Sequence, residues 1–200
     1  MNLRGKIGGA LAALGLAAGL SLAWAGSAGA DAIPPNGQWA EIYNPYLHAQ
    51  NITLCVDDPG GSMYVGTQLD LWRCHGYASN GGMQRWVFAQ VVDDRGNPYL
   101  DNGSAVYVIY NPIVALCLTA TSQLPPAPLT LGPCDANGGT WWELPTPNAP
   151  ATTDFQIFPW PKTSTYNTCV SASNFTDSNG TRLVMEHCDR NDTSQLWNLG

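Results

Sequence analysis

Three short segments alternate between apolar and other positions, and each ends at a cysteine. They are TQLDLWRC, APLTLGPC and TRLVMEHC, and their cysteines are Cys74, Cys134 and Cys188. Successive side chains of a strand point to opposite faces, so a period of two predicts a half-buried strand. Each segment is therefore predicted to be a β-strand that lays one face on the core.

The three predicted strands share the same apolar face. The residues five and three positions before the cysteine are apolar in every copy: Leu69, Leu71, Leu129, Leu131, Leu183 and Met185. The residues four and two positions before it differ freely between copies: Asp70, Trp72, Thr130, Gly132, Val184 and Glu186. Because the two sets alternate, we expect the first set in the core and the second on the outward face.

These strands belong to a unit that occurs three times. The six cysteines form three pairs, separated by 19, 17 and 19 positions: Cys55 and Cys74, Cys117 and Cys134, Cys169 and Cys188. A tryptophan follows each pair, with intervals of 56 and 55 residues between them: Trp86, Trp142 and Trp197. Equal intervals between residues of so rare a type indicate an internal repeat. The repeats are placed at about 38–90, 91–145 and 146–200.

The pattern predicts an all-β fold with threefold pseudo-symmetry. Gly, Pro, Asn and Asp separate the short strands, and no long segment has a 3.6-residue period. Three units of about 50 residues suit a β-trefoil, a barrel capped by hairpins, to which each unit contributes four strands. Independent tandem domains are the alternative, but units of this size bury too little surface alone. The three repeated tryptophans are assigned to the core.

The start of the chain has a different character. The segment MNLRGK contains Arg4 and Lys6, and an uncharged Gly/Ala-rich run follows it, ending in Ala28-Gly29-Ala30. This order predicts a secretory signal peptide over residues 1–30, cleaved after Ala30 or, as a second choice, after Ala25. A retained membrane anchor is the competing interpretation, but the weak hydrophobicity of the run favours cleavage. We expect a secreted, extracellular domain of residues 31–200 with no membrane insertion.

The net charge excludes some classes of binding partner, and the number of cysteines indicates whether they form disulfides. Loss of Arg4 and Lys6 takes the net charge from -7 to -9. An acidic chain without basic runs argues against nucleic acid or anionic membranes as partners. An even number of cysteines in an exported chain predicts three disulfides. Of the possible pairings, the repeat favours one disulfide within each unit.

The motifs resemble those of the ricin B-type (R-type) lectin family. Repeats of that family carry Cys-(Leu/Val)-Asp, a strand that ends near a second cysteine, and Gln-x-Trp. The first repeat here matches with Cys55-Val56-Asp57, Leu69–Cys74 and Gln84-Arg85-Trp86. The third matches with Cys169-Val170, Cys188 and Gln195-Leu196-Trp197. The second keeps its cysteines and Trp142 but has Thr140 in place of the glutamine.

The resemblance implies a galactose-type sugar site in a shallow pocket on the outer face of a repeat. In that family an Asp accepts hydrogen bonds from two sugar hydroxyls, an aromatic ring stacks on the sugar, and amides complete the site. A carboxylate makes strong bonds to hydroxyls, and a flat ring covers the C–H face of a pyranose. The carbohydrate-binding residues implied here are Asp57, Asp70, Trp72 and Gln84.

The first repeat departs from the family pattern in two ways. Met83 stands where a sugar-binding Asn is expected, and Asp70 replaces the usual amide. The loop between Cys74 and Gln84 is three residues longer than its counterpart in the third repeat, so His75 and Asn80 are added as candidates. For Asp57 the alternative role is to cap the turn at Asp58–Gly61, which Asp does well.

The other two repeats lack the sugar-binding pattern. The second has Thr119 and Gly132 at the acidic and aromatic positions, and the third has Ser171 and Glu186. We therefore expect one sugar site per chain. For Trp72 the alternative is packing under a neighbouring loop, and Gln84 and Gln195 are expected to be structural first.

Catalysis has little support in the sequence. Two of the carboxylates at Asp57, Asp58, Asp70, Asp93 and Asp94 could in principle form an acid–base pair, but neighbouring acids are common in turns and nothing places two across a cleft. No nucleophile motif is present. The histidines have no metal-ligand spacing, and His75 and His187 adjoin cysteines assigned to disulfides. We expect no enzyme activity, no cofactor and no metal. The alternative function is a trefoil with decayed sugar sites that binds an unidentified protein or polymer partner.

Overall fold

The computed structural model describes residues 37–47, 53–76, 82–134, 139–144, 154–162 and 166–200. The predicted signal peptide with its cleavage site, and the candidate Asn80, lie outside these residues. Within the described ranges, no helix has the length and apolar character needed to cross a membrane. Only two 3-10 turns, Ser173–Phe175 and Thr193–Gln195, interrupt the strands and loops of these ranges.

The strands form three sets of four, with two short additions. The first set is β2 (Ile42–Asn44), β3 (Leu54–Asp57), β4 (Asp70–Arg73) and β5 (Trp86–Gln90). The second is β7 (Ser104–Asn111), β8 (Leu116–Ala120), β9 (Ala127–Gly132) and β10 (Trp141–Leu144). The third is β11 (Phe158–Pro159), β12 (Thr168–Ala172), β13 (Thr181–His187) and β14 (Asn198–Leu199). The additions are β1 (Trp39–Ala40) and β6 (Leu100–Asp101).

Antiparallel pairing closes the three sets into one barrel. Within a set, successive strands pair as hairpins, as in β2–β3, β3–β4, β7–β8, β8–β9 and β12–β13. Between sets, the last strand pairs with the first strand of the next: β5 with β7, β10 with β11, and β14 with β2. The final strand thus returns to the first repeat, where Asn198 lies opposite Tyr43.

The strands that precede the second cysteines meet at one end of the barrel. The β13 strand pairs with both β9 and β4. The backbone N–H of Leu69 donates to Leu129 O at 3.0 Å, and that of Leu183 donates to Leu69 O at 3.0 Å. All six apolar residues of the predicted inward face are fully buried, as the alternation predicts. The three strands therefore form the cap over the core.

The prediction of an outward face is right for Trp72 and wrong for three of the other five residues in the set. Trp72 is 41% exposed and Glu186 and Asp70 are partly exposed, whereas Thr130, Gly132 and Val184 are buried. Thr130 lies opposite Gln68 and Val184 lies opposite Pro128, so pairing between hairpins covers these two residues. Gly132 packs against Thr119, which leaves no room for a Cβ. Pairing between repeats thus overrides the alternation at Thr130 and Val184, and a contact within the second repeat does so at Gly132.

The centre of the barrel holds the three repeated tryptophans. Trp86, Trp142 and Trp197 are each 0% exposed. Each indole N–H donates to the carbonyl of the residue that follows the first cysteine of its repeat, at 3.0, 3.0 and 3.1 Å: Val56, Leu118 and Val170. A buried indole needs such an acceptor, and the same bond recurs in each repeat.

The disulfide prediction is confirmed. Disulfides join Cys55 to Cys74, Cys117 to Cys134 and Cys169 to Cys188, with Cα–Cα distances of 5.0, 5.1 and 5.2 Å. No cysteine of the chain is free. Each disulfide links the first and second cysteine of one repeat.

Candidate functional site

The hairpin of β3 and β4 brings the acidic residues of the first repeat together. In its register Asp57 lies opposite Asp70, and Cys55 lies opposite Trp72. Asp57 is 4% exposed, Asp58 is 0% exposed and Asp70 is partly exposed. The pairing therefore places Asp70 across from Asp57, with Trp72 two residues further along the same strand.

Burial changes the protonation of these carboxyls. Desolvation raises the pKa of Asp57 and of Asp58 to about 6. Desolvation, reinforced by the charges of Asp57 and Asp58, raises the pKa of Asp70 to about 7. Burial disfavours the charged form of an acid, and neighbouring carboxylates add to the effect. The pKa values of the three carboxyls therefore lie close to neutral pH.

Asp58, rather than Asp57, caps the turn that follows β3. Its Oδ1 accepts the backbone N–H of Ser62 at 2.9 Å, and its carbonyl accepts that of Gly61 at 3.0 Å. Asp57 instead shares a side-chain hydrogen bond with Gln84. The alternative role considered for Asp57 is thus performed by its neighbour.

Gln84 connects the end of β4 with the acidic residues. It is 3% exposed, its Nε2 donates to Arg73 O at 3.1 Å, and its Oε1 accepts the His75 N–H at 3.1 Å. With the bond to Asp57, these contacts hold the end of β4 against β3. Gln84 therefore has the structural role expected for it, and it also orients Asp57.

Two buried acceptors of the acidic group have no hydrogen-bond partner in the structure, Asp58 Oδ2 and Asp70 Oδ1. Most buried side-chain oxygens are hydrogen-bonded, so each such exception needs an explanation. Asp70 lies on the same strand as the exposed ring of Trp72. An acceptor beside an exposed ring suits a ligand that carries hydroxyl groups.

The charge of His75 interacts with that of Glu41. Burial raises the pKa of Glu41, and the charges of His75 and Arg85 offset part of that rise. Because Glu41 directly precedes β2, this interaction links His75 to the start of the first strand of its set. The backbone N–H of His75 donates to Gln84 Oε1 at 3.1 Å.

The loop between Asp58 and β4 was not singled out by the sequence. Met63, Tyr64 and Val65 are 76%, 79% and 64% exposed. The loop is held by the Thr67 N–H, which donates to Tyr64 O at 3.2 Å, and by the hydroxyl pair of Ser62 and Thr67 at 2.6 Å. In the sequence, the apolar triplet between polar and Gly residues could have indicated this exposed loop. The loop places a second aromatic ring, that of Tyr64, next to the turn that Asp58 caps.

The third repeat has a cavity of about 330 Å³ in the corresponding place. Its lining includes Ser171, Glu186 and Asp192. The Ser171 hydroxyl lies 3.0 Å from that of Ser194, and Asp192 accepts the Ser194 N–H at 2.9 Å. Among the described residues that line it there is no Trp, Tyr or Phe. The pocket exists, but the one ring in its described lining is the imidazole of His187, and the broad apolar face of a Trp, Tyr or Phe is missing.

Solved structures with similar architecture were found, whereas neither family models nor curated proteins match the sequence. The designed 3-fold symmetric protein ThreeFoil matches with TM-score 0.60 and 14% identity over 80% of this chain and 96% of that one. The Macrolepiota procera ricin B-like lectin, solved in complex with lactose, matches with TM-score 0.56 and 15% identity over 84% and 97%. An exo-beta-1,3-galactanase from Clostridium thermocellum matches with TM-score 0.58 and 16% identity over 84% of this chain and 30% of that one.

The protein has the β-trefoil fold. Strand pairing, the one-disulfide repeat and these neighbours agree on that assignment. At identities of this size the likeness shows the fold, and function has to be argued from the site.

The second repeat of the trefoil has no room for the same pocket. The Thr119 hydroxyl donates to Cys117 O at 3.1 Å, and its side chain packs on Gly132. Thr140, which replaces the glutamine, is 1% exposed. The two positions that form a sugar site in the family pattern pack against each other here.

One group of residues in the trefoil has the spacing of metal ligands. Atoms of Glu41, Cys55 and Cys74 lie within 4.8 Å of one another. Both sulfurs belong to a disulfide, and metals bind thiolates rather than disulfide sulfurs. Among the described residues, this group therefore offers one carboxylate and no thiolate.

Proposed function

We propose that this β-trefoil is a secreted carbohydrate-binding protein whose sugar site lies in the first repeat. Likeness to lectins of the same fold supports a carbohydrate-binding role. The observation that carries the location is the 41% exposed ring of Trp72 on the strand that also bears Asp70. A large ring held in solvent beside free acceptors is typical of a binding surface.

The chemistry of the site suits a neutral pyranose, and we propose a galactose-type sugar. The Trp72 ring is placed to cover the C–H face of the sugar, and Asp57 and Asp70 are placed to accept hydrogen bonds from its hydroxyls. Gln84 supplies the support that keeps Asp57 in place. The Macrolepiota procera lectin was solved with lactose and an earthworm R-type lectin with GalNAc, which favours this sugar class.

A protein-binding trefoil with a decayed sugar site is the second candidate. It is favoured by the exposed apolar side chains of Met63, Tyr64 and Val65, and by Met83 in place of an amide. A contiguous exposed apolar surface often marks a protein contact. The acidic charge of the chain disfavours nucleic acid as the partner in either case.

A glycan array followed by calorimetry tests the proposal. Galactose-terminated glycans are expected to bind the wild type, and Trp72→Ala is expected to weaken binding by about tenfold, or about 1.4 kcal/mol. Trp39→Ala is the matched control, because Trp39 is 38% exposed on a different strand. Equal affinities for wild type and Trp72→Ala would contradict the site. Absence of binding to every glycan would favour the second candidate.

A further inference from the structure

A second surface of the trefoil combines rings with paired charges. In β10, Trp142 and Leu144 are 0% exposed and face the core, so Trp141 and Glu143 face outward. The neighbouring β11 places Phe158 opposite Glu143. We call this surface the outer wall, and define it by Tyr99, Trp141, Glu143, Phe158, Trp160 and Lys162. Neither β10 nor β11 pairs with β3 or β4.

Three aromatic rings form one end of the outer wall. Trp141 and Trp160 stack with centroids 5.0 Å apart and planes at 29°. Tyr99 meets Trp160 edge-on at 5.1 Å and is 38% exposed. The contacts restrict the motion of these rings. A ligand that packs on them therefore causes little further loss of side-chain entropy.

An ion pair with an open acceptor lies next to the rings. Glu143 is 5% exposed, and its Oε1 lies 2.7 Å from Lys162 Nζ. Its Oε2 is buried and has no partner. Lys162 Nζ also lies 4.0 Å from the Phe158 ring centroid, which fixes the ammonium on the other side. The pair offers one acceptor and remaining N–H donors while its charges compensate each other.

A cavity continues from the ion pair toward the third repeat. Its volume is about 710 Å³, and its lining includes Ser104 and Glu143 from the second repeat and Asp154, Phe158, Lys162 and Arg190 from the third. Residues two apart on a strand lie about 7 Å from each other, so the Trp141 ring and the Glu143 carboxylate are about one sugar unit apart. Cavities of roughly 300–1,000 Å³ hold small-molecule ligands.

We propose that the outer wall is a second carbohydrate-binding site, one that takes a neutral oligosaccharide chain. One pyranose packs on the rings at Tyr99, and hydroxyls of the next unit donate to Glu143 Oε2 and accept from Lys162. A charged sugar is disfavoured because it would have to displace one partner of the ion pair. The proposal shares no residue with the first-repeat site and stands independently of it.

Affinity electrophoresis in gels that contain soluble polysaccharides tests this site. The panel holds a neutral galactan, a neutral β-glucan, a neutral xyloglucan and, as the acidic member, polygalacturonate. Trp72→Ala is the background variant, because it removes the first-repeat site and leaves the wall intact. We expect this variant to stay retarded on a neutral polysaccharide, and Tyr99→Ala or Glu143→Gln added to it to weaken that retardation about fivefold. Trp39→Ala added to the same background is the control and is expected to change nothing.

The results separate the two sites. Retardation that disappears in Trp72→Ala alone would overturn the outer wall and support the first-repeat site. Retardation untouched by Trp72→Ala but lost with the wall substitutions would support the wall alone. Binding only to polygalacturonate, or no retardation on any polysaccharide, would overturn the proposal. Thermal melting of each variant shows that it is folded, and Tyr99→Phe, which keeps the ring, is expected to retain binding.

Discussion

The first and third repeats share the same hydrogen-bonded support beneath outer surfaces of different chemistry. In both, a buried glutamine accepts one backbone N–H and donates to one carbonyl near the second cysteine: Gln84 to Arg73 O at 3.1 Å, Gln195 to His187 O at 2.8 Å. Above that support the first repeat has Asp57 and Trp72, whereas the third has Ser171 and Glu186. The core residues determine the shared backbone support, which we call the frame. The residues at the outward positions determine which ligand each repeat can bind.

The electrostatics of the two outer surfaces also differ because their outward residues differ. The first repeat gathers Asp57, Asp58 and Asp70, and burial raises the pKa of each, to about 6, 6 and 7. At the equivalent of Asp57 the third repeat has Ser171, whose hydroxyl pairs with Ser194 at 3.0 Å. A neutral hydroxyl pair has its hydrogen bonds satisfied without a ligand. In the first repeat, Asp58 Oδ2 and Asp70 Oδ1 have no hydrogen-bond partner among the described residues.

Removing a core tryptophan gives the largest expected effect and tests whether the frame is shared. Trp86→Ala and Trp197→Ala should each lower the free energy of unfolding by about 3–5 kcal/mol, because each leaves a large cavity and an unpaired carbonyl. Urea unfolding measures both variants. Trp86→Phe and Trp197→Phe are milder substitutes if the alanine variants do not fold. A large loss in one repeat and none in the other would contradict a common frame.

The glutamines give the next largest effect. Gln195 makes bonds to His187 O, the Asp189 N–H and Gln156 at 2.8, 2.9 and 3.2 Å. Gln195→Ala leaves these buried groups unsatisfied and should cost about 2 kcal/mol. Gln84→Ala should cost less stability, because its bonds to Arg73 O and the His75 N–H are longer, both 3.1 Å, and it should weaken glycan binding through Asp57. The same denaturation and calorimetric measurements apply. A larger stability loss for Gln84→Ala would reverse the ranking of the two pockets.

The sequence predicted most of the frame and less of the surface. The spacing of Cys, Trp and Leu within one repeat fixed the strands, the disulfides and the inward face, because those contacts are local or repeated. The burial of Thr130 and Val184 depends on pairing between hairpins, which spacing within a repeat does not specify. The Glu143–Lys162 pair and the Tyr99–Trp160 contact likewise join segments from different repeats. Such contacts become visible only when the barrel is assembled.

Titration of the acidic group gives a smaller effect, which is confined to the first repeat. The pKa of Asp70 is raised from 3.8 to about 7 in the folded state, so its contribution to stability is full below about pH 4 and is lost as the pH rises toward 7. Asp70→Asn should remove that loss and raise Tm at pH 8 by about 2–4 °C. Melting curves from pH 4 to 8 measure the effect, with Glu186→Gln as the third-repeat control. A variant with the same pH dependence as the wild type would show that Asp70 is not the titrating group.

The smallest effect concerns the residue at which the first repeat departs from the lectin pattern. Met83 stands where the resemblance implies a sugar-binding Asn, and its side chain contacts the turn near Gly61. Met83→Asn should strengthen glycan binding about fivefold, because one additional hydrogen bond contributes about 1 kcal/mol. Calorimetry with the best glycan from the array measures the gain. Ser194→Asn, at the same place in the third repeat, should give no gain, because Ser171 and Glu186 stand there in place of Asp57 and Trp72. Equal gains from the two substitutions would mean that the amide alone, rather than its combination with Trp72 and Asp57, decides which repeat binds sugar.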